Sequence, residues 1–287
     1  MIPAWFQNAI DTPFDARHVV VEGCRIAYQH WSAPGRPGVI LVHGHAAHAH
    51  WWDFIAPLLP EYDVVAINLS GAGDSEHREQ YRASQFAREI MAVAADAGFI
   101  KPVVVGHSFG GSMTRIAAHQ HGDALGGIVL VDSVLSPKRA SREPPPFRRK
   151  RTRYFPSTEE GARRFRLRPP QPATHEFIID HIARHSLKET PDGFQFKLDP
   201  AVFAKMTEPE TFPDAQTMVR ELTIPTGFIY GENSRFFPPV MVDGVRPLFP
   251  EARFTGIPDA WHHVFLDVPQ VFTEVLREQL ASIITPQ

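Results

Sequence analysis

Uninterrupted apolar runs, not alternating ones, set the rhythm of the first half of the chain. Gly38-Val39-Ile40-Leu41-Val42 ends at His43-Gly44, and residues 62–68 end before Leu69-Ser70-Gly71-Ala72-Gly73. Residues 102–105, 127–132 and 226–231 repeat the pattern. Such runs suit strands covered on both faces. Between them lie helical patterns: Phe86, Ile90, Val93 and Ala94 share a stripe, residues 112–120 continue another, and Val271, Val275, Leu276 and Ile283 recur at helical spacing. Strands alternating with helices predict an α/β fold, a mostly parallel sheet of about eight strands with helices on both faces. Residues 16–21 and 25–30 flank Glu22-Gly23 and predict an antiparallel hairpin at the sheet edge.

The rhythm breaks near residue 134. Residues 136–172 are rich in proline and arginine, with Pro144-Pro145-Pro146 and then Arg148-Arg149-Lys150-Arg151-Thr152-Arg153. Residues 157–166 and 174–188 look helical, and strand signals return at Ile224. The expectation is a core of residues 1–134 and 215–287 with a helical cap inserted at 135–214. Its aromatic residues, among them Phe155, Phe165, Phe177, Phe194 and Phe196, favour a lid over the carboxyl ends of the strands. The basic run 148–153 reads as a solvated surface, with contact between one arginine and an anionic substrate group as the sharper alternative.

Composition narrows the classes. With 287 residues and 43% hydrophobic content the chain can bury one large core. A net charge of -3 gives no sign of a nucleic-acid or anionic-membrane partner. Cys24 is the single cysteine, so no internal disulfide framework exists, and it reads as a core residue. No apolar stretch approaches a membrane span and no signal peptide is visible, so a soluble, cytoplasmic protein is expected. Nothing demands an oligomer, although a dimer through the lid or the last helix is compatible with the sequence.

The chemistry concentrates in Gly106-His107-Ser108-Phe109-Gly110, which follows a strand pattern and opens a helix pattern. An ordinary tight turn would also show this pentapeptide, but between a buried strand and a helix it places a serine oxygen at a strained apex. A serine hydroxyl needs a base to take its proton. His262, in Trp261-His262-His263, is the choice, with His263 as competitor because spacing cannot separate neighbours. Two backbone N–H groups are needed to hold an oxyanion; Phe109, following the nucleophile, and His45, in the loop after Val42, are the candidates. His43 reads as a structural residue of that turn. His48, His50, Trp51 and Trp52 are expected to begin a helix or to line the pocket mouth, and Trp261 to lie at the pocket. A metal site built from His43, His45, His48 and His50 is set aside because no nearby carboxylate completes it.

Together, His43-Gly44-His45, residues 68–75, the serine pentapeptide and His262 before Pro269 make the chain resemble the α/β-hydrolases, of the small cap-bearing kind, over nearly its whole length. Asn68 stands where relatives commonly have Asp. The resemblance also locates the triad acid. Most relatives carry it in a Gly-x-x-Asp loop, which here is Gly231-Glu232-Asn233-Ser234, so Ser234 occupies the Asp position. Some relatives place the acid at the end of the core strand before the cap, which is Asp132 here. Asp132 is therefore the expected acid, with Glu232 as the alternative. The resemblance implies a serine carboxylesterase working through an acyl-enzyme on a small apolar or aromatic substrate, with no cofactor and no metal. A carbon–carbon hydrolase or a lactonase with the same nucleophile, or a non-catalytic small-molecule receptor, remain alternatives.

Overall fold

The computed structural model describes residues 2–133, 135 and 153–284. The Pro144-Pro145-Pro146 segment and the basic run up to Thr152 lie outside these residues. A short helix α1 (Ala4–Ile10) precedes the edge hairpin β1 (Asp15–Val21) and β2 (Cys24–Trp31), which meets the expected antiparallel pairing. Then come β3 (Gly38–Val42), β4 (Asp63–Ile67), α2 (Ala83–Asp96), β5 (Val103–His107), α3 (Phe109–His121) and β6 (Gly127–Val131). The chain next forms α4 (Thr158–Ala162), α5 (Glu176–His185), β7 (Leu187–Thr190) and β8 (Gly193–Phe196). It returns through α6 (Ala215–Arg220), β9 (Thr226–Gly231), α7 (Pro239–Val245), β10 (Arg253–Ile257), α8 (Val264–Asp267) and α9 (Pro269–Ile284).

Eight strands form one sheet in the order β1-β2-β4-β3-β5-β6-β9-β10. Its pairings are parallel from β4 to β10 and antiparallel where β2 joins β1 and β4. Successive side chains of a strand point to opposite faces. Ile40 and Val42 therefore enter one apolar cluster with α2 and α3, while Val39 and Leu41 enter another with α9. Both faces are covered, which is why these strands carry no polar alternation. The chain leaves β3 toward β4 on one side and later returns to β5 on the other. That reversal opens a crevice at the carboxyl ends of β3 and β5.

Between β6 and β9 the expectation of two helices needs amendment. The helix predicted to run through 188 stops at His185, and residues 187–196 form the antiparallel hairpin β7–β8. Pro191-Asp192-Gly193 closes that hairpin, with Gly193 at φ 112. Phe155 adds a bridge to Phe194.

Candidate active site

β5 ends at His107 and α3 starts at Phe109, leaving Ser108 between them at φ 53, ψ -115. Few non-glycine residues adopt this conformation, and the neighbours enforce it. A Cβ on Gly106 would lie 2.7 Å from the Gly110 carbonyl oxygen, and one on Gly110 would lie 2.3 Å from the His43 carbonyl oxygen. Strand, elbow and the His43–Gly44 loop touch backbone to backbone. Ser108 N–H donates to the Val131 carbonyl at 2.9 Å, tying the apex to the end of β6.

The loop between β10 and α8 brings His262 to this apex. Ser108 Oγ donates to His262 Nε2 across 2.9 Å. A neutral imidazole at that distance can take the hydroxyl proton. The loop is fixed by a second set of groups. His107 Nε2–H donates to the His262 carbonyl at 2.9 Å. Asp267 accepts from Trp261 N–H at 2.8 Å, and Gln171 accepts from His263 N–H at 2.8 Å while donating to Asp267 at 2.9 Å. The adjacent His263 turns into the interior, its ring 5.3 Å from His107 and 5.2 Å from Trp51. The structure thus brings His262, and not His263, to Ser108.

Asp132 follows β6 at φ 42 and is fully buried. Its Oδ1 lies 3.7 Å from His262 Nδ1. Ser234 Oγ donates to the same Oδ1 at 2.9 Å. Asp132 Oδ2 and His262 Nδ1 are both buried without a hydrogen-bond partner among the described residues. Buried polar atoms are rarely left unpaired, so these two adjacent groups have each other as the available partner. Burial pushes the Asp132 carboxyl up to about 8, opposed by the Ser234 hydrogen bond, and pushes the His262 imidazole down to about 4. Glu232 is exposed on the neighbouring loop, its carboxylate near Gly256.

On the other side of Ser108, a Cβ on Gly44 would come 3.3 Å from Ser108 Cβ, so the backbone leading into His45 runs beside the serine. The His45 ring lies 6.3 Å from that of Phe109. His43 holds the turn: its Nδ1–H donates to the Gly44 carbonyl at 2.7 Å and its Nε2 accepts from Leu69 N–H at 3.1 Å. Asn68 Oδ1 accepts from Ala49 N–H at 2.8 Å, a loop-bracing role open to Asn and Asp alike.

A cavity of about 610 Å³ opens at His45. His45, Ala46, Ala47, His48, Gly73 and His77 form its core side; Arg153, Arg164, Phe165, Arg166, Arg168, Lys188, Phe196 and Lys197 line the other. Two expectations about the pocket change. Trp51 and Trp52 do not border the cavity: both are buried, Trp52 stacking on Phe265 at 4.4 Å. The short helical turn Ala49–Trp52 turns its indoles into the core and away from the crevice. Trp261 is half-buried and does not border the cavity either. The lining is basic, with the lid aromatics Phe165 and Phe196 among its residues.

The histidine-rich loop does find a carboxylate, correcting the ground on which a metal site was set aside. Ligating atoms of His50, Asp53, His181 and His185 lie within 4.8 Å of one another. His50 Nδ1 and His181 Nε2 each sit 2.8 Å from Asp53 Oδ2. Burial alone would raise the Asp53 carboxyl, but these two hydrogen bonds hold it below the usual range. The donor set is one a divalent ion accepts, yet the hydrogen bonds account for it as a clasp between α5 and the core.

Residues 37–188 match the model of the alpha/beta hydrolase fold family. An uncharacterized hydrolase of Bacillus subtilis (strain 168) is 31% identical over 120 residues, spanning 41% of this chain and 44% of that protein. The chain therefore matches less than half the length of that relative. A mouse (Mus musculus) sn-1-specific diacylglycerol lipase is 24% identical over 85% of this chain and 81% of its own. Among solved structures, an E-2-(acetamidomethylene)succinate hydrolase superposes with a TM-score of 0.76 at 17% identity, covering 93% of this chain and 99% of that one. Among the described residues no helix is long and apolar enough to cross a membrane.

Proposed function

The chain belongs to the α/β-hydrolase fold family, and on that premise we propose that it is a serine hydrolase cleaving carboxylic esters through Ser108, His262 and Asp132. The observation that carries this reading is the 2.9 Å contact between Ser108 Oγ and His262 Nε2 at a strained strand-to-helix apex. His262 takes the Ser108 proton as Oγ attacks the carbonyl carbon. The N–H groups of Phe109 and His45 receive the oxyanion. His262, now protonated at Nε2, gives that proton to the leaving alcohol, and an acyl-enzyme forms. Water then repeats the sequence through the same histidine and releases the acid.

Asp132 supplies the charge that the imidazolium needs. Burial disfavours charge on both groups, but the reaction uses Asp132 as a carboxylate: beside Nδ1–H it fixes the tautomer and offsets the charge that the serine proton brings to the ring. The 3.7 Å separation suits a pair that tightens on substrate binding, as catalytic hydrogen bonds commonly do. Ser234, standing where most relatives carry the acid, holds the relocated carboxylate in place. Residues 153–214 act as a lid over this site, with Gln171 anchoring them to the His262 loop.

A second reading, cleavage of a different bond in a carboxylate-bearing substrate, is favoured by the basic cavity and by the succinate derivative in the neighbour's name. Turnover of p-nitrophenyl butyrate tests the first reading. The parent protein is expected to hydrolyse it and Ser108→Ala to lose about ten-thousandfold or more of kcat. Equal turnover by both proteins would remove the serine from the mechanism.

A further inference from the structure

A chain with a net charge of -3 gathers six cationic side chains around one cavity. Arg153, Arg164, Arg166, Arg168, Lys188 and Lys197 line it, and among the described residues no carboxylate does. Lys197 pairs with the half-exposed Asp74 at 2.6 Å. Arg166 donates to the backbone carbonyls of Arg163 and Phe165, which leaves its charge without an ion-pair partner among the described residues. Arg164, Arg168 and Lys188 have no ion-pair partner among the described residues.

Concentrating like charge costs folding free energy, and a surface without a use for it would intersperse both signs. The cations are also deliberately placed by the fold. They come from three separate stretches, and the β7–β8 hairpin turns Lys188 and its cross-strand partner Gln195 onto the same cavity. Ser108, Phe109 and His262 do not line the cavity; it adjoins the serine site through His45, whose ring feels the charge of Arg168. A substrate with its carbonyl at Ser108 and a chain long enough to pass His45 would reach a ring of guanidinium and ammonium groups. Guanidinium forks match the two oxygens of a carboxylate or phosphate and bind them with short, charge-assisted hydrogen bonds.

We infer that the substrate carries an anionic group, carboxylate or phosphate, on the side of the scissile carbonyl that enters this cavity. This inference rests on the serine-hydrolase reading for where the carbonyl sits, but the anion-binding claim stands apart from turnover. The cavity then works as an electrostatic funnel that draws the anion in and orients the carbonyl toward Ser108.

Two measurements keep the claims separate. The first is binding to the Ser108→Ala protein, which cannot turn substrate over, of monomethyl glutarate, glycerol phosphate and the neutral methyl butyrate, followed by ligand-observed NMR. At least one anion is expected to bind about tenfold or more tightly than the neutral ester, with the better anion naming the group. That advantage is expected to shrink as salt rises from low to high ionic strength. Adding Arg164→Gln with Arg168→Gln should weaken anion binding about tenfold, and the Lys pair should recover part of it. Both arginines are exposed, so these variants are expected to fold. Equal affinity for anion and neutral ester, or unchanged anion binding in the Gln pair, overturns the inference. The second measurement is the ratio of kcat/KM for mono-p-nitrophenyl glutarate over p-nitrophenyl butyrate in the parent protein. A ratio of about ten or more supports the inference, and a ratio near one contradicts it. Anion binding without any ester turnover would instead sink the serine-hydrolase reading and leave the anion site standing.

Discussion

Ser108 and Asp132 hang from the ends of β5 and β6, and His262 from the loop after β10, whereas Arg164, Arg168 and Lys188 ride on the stretch between β6 and β9. The first group is held by the sheet. Both Ser108 and Asp132 sit at positive φ, and the N–H of each donates to the adjacent strand, to Val131 at 2.9 Å and to Ile229 at 2.8 Å. The second group is exposed, with long side chains that can adjust to a ligand. The difference separates two tasks. Reaction chemistry demands fixed atoms and tolerates strain, so it sits where eight strands over-determine the backbone. The proposed selection of an anion needs charge and reach more than fixed geometry, which suits an inserted segment that can vary without disturbing the sheet.

The largest effect that would break this division lies on the sheet side. Asp132→Asn is expected to lower kcat by about a thousandfold or more, and Glu232→Gln by less than about twofold. Steady-state kinetics with p-nitrophenyl butyrate decides it; the reverse ranking would move the acid to the exposed loop. Next comes the rigidity of the elbow. Gly110→Ala forces a methyl against the His43 carbonyl oxygen and should cost about 1–3 kcal/mol or more in urea unfolding. A neutral outcome would mean that the loops are not in contact. The smallest effect is a shift in pH profile. His262 must be neutral to act as base, so activity is lost as pH falls through its pKa. Burial lowers that pKa toward about 4, so the acid limb of kcat/KM should fall below pH 6.5, the usual histidine value. A midpoint at 7 or above would show that the attraction of the Asp132 carboxylate outweighs burial at His262.

The same division governs what could be read from the chain. β3, β4, β5 and β6 were legible because strands buried on both faces leave unbroken apolar runs. The elbow was legible because close backbone contact demands glycine at fixed offsets around Ser108. The proximity of Asp132 to His262 could be inferred through an absence, the serine at position 234 where a carboxylate is usual. The β7–β8 hairpin was passed over although Pro191-Asp192-Gly193 marks its turn, because its four-residue strands are too short for a period to emerge. Trp51 and Trp52 were misplaced because proximity to a motif does not say which way a helical turn faces. Of the basic cavity only Arg153 belongs to the run singled out for an anionic contact; Arg164, Arg168, Lys188 and Lys197 are scattered in sequence, and tertiary folding gathers them.

Covalent labelling of the serine tests the central claim most directly. After treatment with a fluorophosphonate, intact mass and peptide mapping should show one adduct on Ser108 in the parent protein. It should be absent in Ser108→Ala and strongly slowed in His262→Ala. An unlabelled parent protein, or an adduct on another residue, would contradict the assignment of Ser108 as the nucleophile.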